Sequence, residues 1–412
     1  EELFGKNTNE VNVVKSSFDQ VGITDGSGST PDPDLPSVQG TEWIAFISAI
    51  DFSLNMAKPV IQNQATDIKK LTSTAVNAQN NGTITVPERG NAVIFIDNNH
   101  NLKGINTDGS SEAFIDNSGA WRSLAISPNG QYLAVTTVVE QPIIYIFDLK
   151  NSSYKQIELY TPSTGDDFRY NEPLLANTMS WDVTNKILVY DALNYKFNWE
   201  GEDEYYMDMN AIDYASGVIY RIFPNMGSGI SIGSPDFGKT SSRVLTFLVY
   251  DDNDKVYYIN GVDLYSGTIK NILYANANEF NISSPVYSVK DNKLAFQISD
   301  AKPTYAIMQI PLGTDKISAA GDPADYLINV GIPKWFAIGT RPSDISDEST
   351  IESFEISPNP AQDYISINLK QSEGSLVQVY DIMGVKIISE IIHPMTSSHR
   401  MNIENLPAGV YF

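Results

Sequence analysis

The sequence predicts an all-β chain assembled from repeated strand–turn–strand units, and three observations predict it. The 22 tyrosines, 17 phenylalanines and 27 glycines suit strands and turns rather than helices. No stretch sustains a helical apolar period: 57–70 comes closest, and Pro59 and its β-branched residues argue against it. Third, between two polar linkers a unit of one strand, a tight turn and a second, strongly apolar strand recurs.

Taken along the chain, 1–23 is polar with scattered β-branched residues. DGSGSTPDPDLPS (25–37) is rich in glycine, serine and alternating proline, which neither pack nor pair in a sheet, and reads as a linker. WIAFIS (43–48) and AVIFID (92–97) read as apolar second strands. LAISPNGQYLAV (124–135) is a complete unit with a Ser-Pro-Asn-Gly turn, followed by SWDVTNKILVY (180–190), GSPDFGKTSSRVLTFLVY (233–250) and SPVYSVKDNKLAFQI (284–298). The second-strand anchors Ile44, Val93, Leu133, Leu188, Leu245 and Leu294 stand 40 to 57 residues apart. That is the span of one four-stranded propeller blade.

Outer hairpins repeat too. IDYASGVIYRI (212–222) and VDLYSGTIKNI (262–272) share Asp-x-x-Ser-Gly, in which the aspartate accepts backbone N–H bonds and the glycine supplies positive φ. IPKWFAIG (332–339) looks like a first strand with no second strand after it, and WIAFIS like a second strand with no first before it. Joined, they make a blade from both ends of the region and close a ring of six. The expected organisation is an N-terminal extension and linker (1–37), a six-bladed β-propeller (38–340), a linker (341–350) and a small Ig-like β-sandwich (351–412).

The Ser-Pro-Asn-Gly turn leading into Tyr132-Leu133-Ala134-Val135 is similar to the repeats of TolB-like six-bladed propellers, a resemblance that covers roughly 40–340 and speaks to fold, not function. FEISPNPAQDYISINL (354–369), VQVYDIMGVKI (377–387) and MNIENLPAGVYF (401–412) resemble a type A C-terminal sorting domain of the type IX secretion system of Bacteroidota. That resemblance implies an Ig-like sandwich that docks on the outer-membrane export and attachment machinery. It also implies export across the outer membrane to the cell surface or the extracellular space. Members usually continue past the Gly-Val-Tyr-Phe strand into a last hairpin, whereas this sequence stops at Phe412. It starts at Glu1-Glu2 rather than at methionine, as after removal of a leader or from a chosen start.

Composition narrows the function. There are 50 acids against 27 bases, a formal charge of −23, so a phosphate backbone is repelled and nucleic acid is not an expected partner. With no cysteine there is no disulfide, thiolate metal site or cysteine nucleophile. Gly229-Ile230-Ser231-Ile232-Gly233 matches a serine-hydrolase elbow, but a strand follows it rather than the helix that elbow needs. It reads as an innermost propeller strand with glycines for close packing. The stretch 234–240 matches most of an Asp-box, yet it lies between a blade's first and second strands, and seven arginines in the whole chain do not suggest a sialidase. His100, His393 and His399 read as turn or surface histidines. Asp251, Asp252 and Asp254 form a weak candidate calcium site, against the plainer reading of a solvated hairpin turn.

The candidate site is a pair of long segments, TPSTGDDFRYNEP (161–173) and NYKFNWEGEDEYYMD (194–208), read as loops. The first joins one blade's outer strand to the next blade's inner strand, and the second joins that blade's second and third strands. Propeller geometry places both on one face. The ligand-binding residues expected there are Asp166, Asp167, Phe168, Arg169, Tyr170, Trp199, Glu200, Glu202, Asp203, Glu204 and Tyr205. Aromatics beside carboxylates suit sugar stacking, cation capture or a protein contact, and the alternative is that they fold back as a cap. Two classes of function stand against each other. One is a non-catalytic binding or adhesion module for a glycan or protein, with calcium a compatible bridge. The other is a glycan-active hydrolase or lyase using paired carboxylates such as Glu200 and Glu204, or carboxylates lining the central channel. No catalytic set is assembled in the sequence.

Overall fold

The computed structural model describes residues 34–60, 68–162, 168–198, 201, 203–223, 228–300, 305–342, 355–358, 361–368, 375–380, 386–392 and 398–406. The chain divides into two compact units, Glu1–Pro342 and Ser343–Phe412. Every regular element among the described residues is a strand.

The first unit contains six four-stranded antiparallel sheets, here blades I to VI. Their inner strands are Val330–Thr340, Ile84–Thr85, Trp121–Ile126, Phe168–Trp181, Ile230–Phe237 and Phe280–Tyr287. Their second strands are Gln39–Ser48, Ala92–Ile96, Tyr132–Thr137, Ile187–Asn198, Val244–Asp251 and Lys293–Asp300. All six expected anchors lie on these second strands and are at most 1% exposed. Burying each contributes roughly 1.5–3 kcal/mol relative to exposure.

Six apolar clusters hold the blades together, one at each junction. Ile44, Trp335 and Ala337 of blade I pack with Val286, Ala295 and Ile307 of blade VI, while Ile47, Leu54 and Phe336 pack with Val93 and Phe95 of blade II. The other four clusters join II to III, III to IV, IV to V and V to VI. The ring is therefore closed by side-chain packing. Its first blade takes the inner strand Val330–Thr340 and the second strand Gln39–Ser48 from opposite ends of the unit.

Buried aspartates reinforce the junctions. Asp191 of blade IV accepts the Thr178 N–H at 2.6 Å and the Ser234 N–H of blade V at 2.7 Å. Asp236 of blade V accepts the Tyr287 N–H of blade VI at 2.8 Å. Burial pushes the Asp191 carboxyl up, against hydrogen bonds from Thr178 and Ser234 that favour its ionised form. Gly233 is required by this arrangement, because a Cβ there would sit 2.7 Å from Asp191 Oδ2. The G-x-S-x-G match thus lies on an inner strand, with its last glycine making room for a neighbour's carboxylate.

The Asp-x-x-Ser-Gly turns form as expected. Asp213 accepts the Ser216 N–H at 2.7 Å and Asp263 accepts the Ser266 N–H at 3.1 Å, with Gly217 and Gly267 at φ 74° and 71°. The segment before the propeller differs from a free linker over its last residues. The Leu35 N–H donates to Thr240 O at 2.7 Å, Asp34 pairs with Lys316 at 2.6 Å, and Arg341 donates to Pro36 O. The Pro36 carbonyl, the Leu35 N–H and an acid find partners on the propeller even though the prolines cannot join a sheet.

In the second unit, Glu355–Ser357, Tyr364–Asn368 and Ser398–Asn402 form one sheet, and Ser375–Tyr380 pairs with Lys386–Ile392. Ile367, Val379 and Met401, one from the first sheet's middle strand, one from the hairpin and one from the first sheet's edge, make its core.

Candidate functional site

Blade IV carries the candidate site on unusually long strands. Its first three, Phe168–Trp181, Ile187–Asn198 and Asp203–Asp213, have 14, 12 and 11 residues, whereas those of blade III have six each. The described residues of the segments expected as loops are largely strand, 168–173, 194–198 and 203–208, which corrects that reading. Phe168 lies opposite Asn198, Tyr170 opposite Phe197 and Glu172 opposite Tyr195. Tyr195 in turn lies opposite Tyr205, Lys196 opposite Glu204 and Phe197 opposite Asp203. The alternation of aromatic with polar or charged residues (Phe168, Tyr170; Tyr195, Phe197) is itself strand-compatible, and the neighbouring strand supplies the ladder that isolated segments lack. The two segments are adjacent, as the topology implies. They form a three-stranded arm at the end of the blade where the second-to-third-strand connection lies.

Several of the expected site residues fall outside the described residues: Asp166, Asp167, Trp199, Glu200 and Glu202. Phe168, Arg169 and Tyr170 are placed by their backbone alone, on the inner strand of the arm. Asp203, Glu204 and Tyr205 come together on its third strand. Tyr205 is 63% exposed, and its ring centroid stands 5.1 Å from that of Tyr195. The Tyr195 hydroxyl donates to Asp203 at 3.4 Å. An aromatic pair with a carboxylate at its edge is thus presented to solvent.

Glu204 serves differently. One oxygen accepts the Gly229 N–H of blade V at 2.8 Å, and the other pairs with Lys196 at 2.8 Å. Burial pushes its carboxyl up, but the Lys196 and Gly229 bonds outweigh this and hold it below the usual glutamate range. Lys196 also lies over the Tyr206 ring at 4.8 Å. Tyr206 is buried and donates to Asn171 at 2.7 Å. Asp208 turns inward, accepting from Asn194 at 2.8 Å and Asn210 at 3.0 Å, and burial pushes its carboxyl up. The aromatics therefore divide: Tyr206 caps the blade and Tyr205 faces water. The sequence does not foretell this split, because neighbouring residues on a strand take opposite faces but only the register and the packing decide which face is buried.

The weak calcium candidates lie in the turn after Val244–Asp251. Asp251 accepts the Asn253 N–H at 3.0 Å, and Asp252 accepts the Tyr250 hydroxyl at 2.7 Å and pairs with Lys255. Among the described residues no three histidine, aspartate or glutamate side chains converge as a metal-holding group. His100 sits in a turn at φ 61°, its Nδ1 3.0 Å from Trp121 O.

A cavity lies at the other end of the propeller. It is lined by the C-terminal ends of the inner strands, where the first-to-second-strand turns gather, and includes Asp236, Lys239, Lys334 and Trp335. Sequence reasoning missed it. The available signal was Lys334, the one charged residue in the otherwise apolar IPKWFAIG strand.

Residues 355–412 match the family of secretion system C-terminal sorting domains. The C-terminal unit is a sorting domain of this family. It marks the chain as cargo of type IX secretion, exported to the cell surface or extracellular space, and its partner is that secretion machinery. Ahead of the sorting domain stands a TolB-like propeller. The structure of TolB from Acinetobacter baumannii is 12% identical over 73% of this chain and 67% of that one, with a TM-score of 0.50, a likeness of fold. Oligogalacturonate lyase from Vibrio parahaemolyticus is 10% identical over 88% of this chain and 100% of that one, at a TM-score of 0.38. Dipeptidyl peptidase 4 from Porphyromonas gingivalis is 10% identical over 89% and 68%, at 0.34. Comparison with curated protein sequences found no match.

Proposed function

We propose that the propeller of this exported cargo is a non-catalytic binding or adhesion module that takes a glycan or protein ligand on the blade IV arm. The observation that supports this most is the Tyr195–Tyr205 pair beside Asp203, with Tyr205 63% exposed at the end of long strands. Exposed rings offer flat apolar area for the carbon face of a sugar or for a cationic side chain. The adjacent carboxylate accepts from hydroxyls or ammonium groups. The chain's charge of −23 favours neutral or cationic ligands over polyanions. A calcium ion bridging sugar hydroxyls to arm carboxylates is compatible with this reading.

The state of Glu204 argues against the paired-carboxylate reading. A general acid must carry a proton near neutral pH, and Glu204 is held ionised with both oxygens engaged.

The test is an array of glycans and surface proteins probed with the full chain, with and without calcium. The expected result is saturable binding to a neutral or cationic ligand that Tyr205→Ala abolishes. Tight binding to a polyanion, or turnover of a bound glycan, would contradict the proposal.

A further inference from the structure

The cavity on the propeller axis is remote from the arm, and its charges do not balance. It measures about 100 Å³. Its walls are mixed, with the apolar side chains Ile126, Met179, Trp181, Trp335 and Phe336 beside polar surface of nearly equal extent. Five charged side chains also line it: Glu88, Asp236, Lys239, Lys334 and Arg341. Four of them are matched. Arg341 Nε pairs with Glu88 at 2.7 Å, and Lys239 pairs with Asp236 at 2.9 Å. The second Asp236 oxygen is taken by the Tyr287 N–H at 2.8 Å. The Lys334 ammonium group makes no hydrogen bond and no ion pair with any described residue. Three cations against two anions leave one positive charge over, and Lys334 is the group that carries it.

Nothing about the inner strand demands a lysine there. Lys334 lies opposite Ala45, between Pro333 and Trp335, where its neighbours serve the apolar junctions. A leucine or methionine would fill the same wall without the cost of drawing an ammonium group partly out of water. Partial burial pulls the Lys334 amine below the usual lysine range and Lys239 adds to this, while Asp236 acts against both. A small anion against the amine removes that penalty and completes the charge balance.

We propose that the axial cavity is an anion site in which Lys334 holds the carboxylate of a small acid with a short apolar body. The volume sets the size. A cavity of about 150 Å³ accommodates benzene, so about 100 Å³ suits roughly four or five heavy atoms, the size of acetate or propionate. The single unmatched charge suits a monoanion. The indole and aliphatic walls suit a carbon tail, and they would leave the extra oxygens of a phosphate without donors. A free short-chain acid and the terminal carboxylate of a peptide share this chemistry.

The full chain is titrated calorimetrically with acetate, propionate and propionamide, and with trialanine bearing a free or an amidated C-terminus. Saturable one-site binding of a carboxylate is expected, at least tenfold weaker for its amide, and at least tenfold weaker again in Lys334→Met. Propionate binding alone assigns a free acid, and binding of free but not amidated trialanine assigns a peptide terminus. As a measurement on the unsubstituted chain, acetylation of Lys334 by an amine-reactive ester is read by mass spectrometry. Protection by the bound carboxylate, and none by its amide, is expected. No saturable binding of any carboxylate, equal binding of the amides, or full binding by folded Lys334→Met would overturn the proposal.

Discussion

Trp335, at the middle of the propeller's last strand, lies directly opposite Ile44, on its first full strand. The Trp335 ring is 5% exposed within the cluster joining blades I and VI, and its Nε1 donates to Glu42 at 3.1 Å. Closure of the ring thus includes one large buried indole contributed from a site almost 300 residues away in the chain. Trp335→Ala should lower stability by about 3–5 kcal/mol, measured by denaturant unfolding. A loss below about 1 kcal/mol would mean that the junction is held elsewhere.

Export and folding should separate. Each unit has its own core, the six junction clusters in one and Ile367, Val379 and Met401 in the other. A chain ending at Pro342 should keep the propeller's melting temperature and yet fail to reach the cell surface. Surface delivery of that truncated chain at the normal level would refute the role of the sorting domain.

Tyr205 and Glu204 are neighbours with opposite expected phenotypes. Tyr205→Ala removes an exposed ring and should change stability by no more than about 0.5 kcal/mol while abolishing ligand binding. Glu204→Gln removes the charge from the Glu204–Lys196 pair and weakens the acceptor of the Gly229 N–H, and should cost about 1–3 kcal/mol. Paired melting and binding measurements check both. A large stability loss in Tyr205→Ala would identify the ring as a cap instead.

Lys334→Met should stabilise the unliganded protein at neutral pH by about 1–3 kcal/mol. The native amine titrates below the ordinary lysine value of about 10.4. Between those two values the unfolded chain binds more protons than the native one, so unsubstituted stability rises with pH. The variant lacks that slope, so its advantage should be largest at neutral pH and shrink as pH approaches about 10.4. Asp236 and Lys239, the charged groups facing the amine, are matched to each other and do not reverse the sign. Melting curves of both proteins across pH 7 to about 10 test this.

Gly233→Ala should destabilise by about 1–3 kcal/mol, because the added methyl meets Asp191 Oδ2 at 2.7 Å. Combining it with Asp191→Ala should recover less than the clash costs, since the Thr178 and Ser234 N–H groups then lose their acceptor. Neutral behaviour of Gly233→Ala would show that the carboxylate can move aside.

By itself the sequence determined the architecture. Turn chemistry is local, so Asp213, Gly217 and the Ser-Pro-Asn-Gly turn could be read where they stand. Apolar second strands are nearly independent of context, so Leu133 or Leu294 could only be core. The orphan strands at the two ends implied the closing blade, and three ordered motifs identified the sorting domain. The tertiary structure decided what the polar residues do. Whether Glu204 is a free carboxylate or half of an ion pair depends on Lys196 across the ladder and on Gly229 in another blade. Whether Tyr205 or Tyr206 meets solvent depends on register. Lys334 stands out only once the inner strands of five blades, from across 250 residues, gather around one cavity and every other charge lining it is matched. Burial and charge pairing between distant segments are properties of the closed ring, and no window of sequence contains both partners.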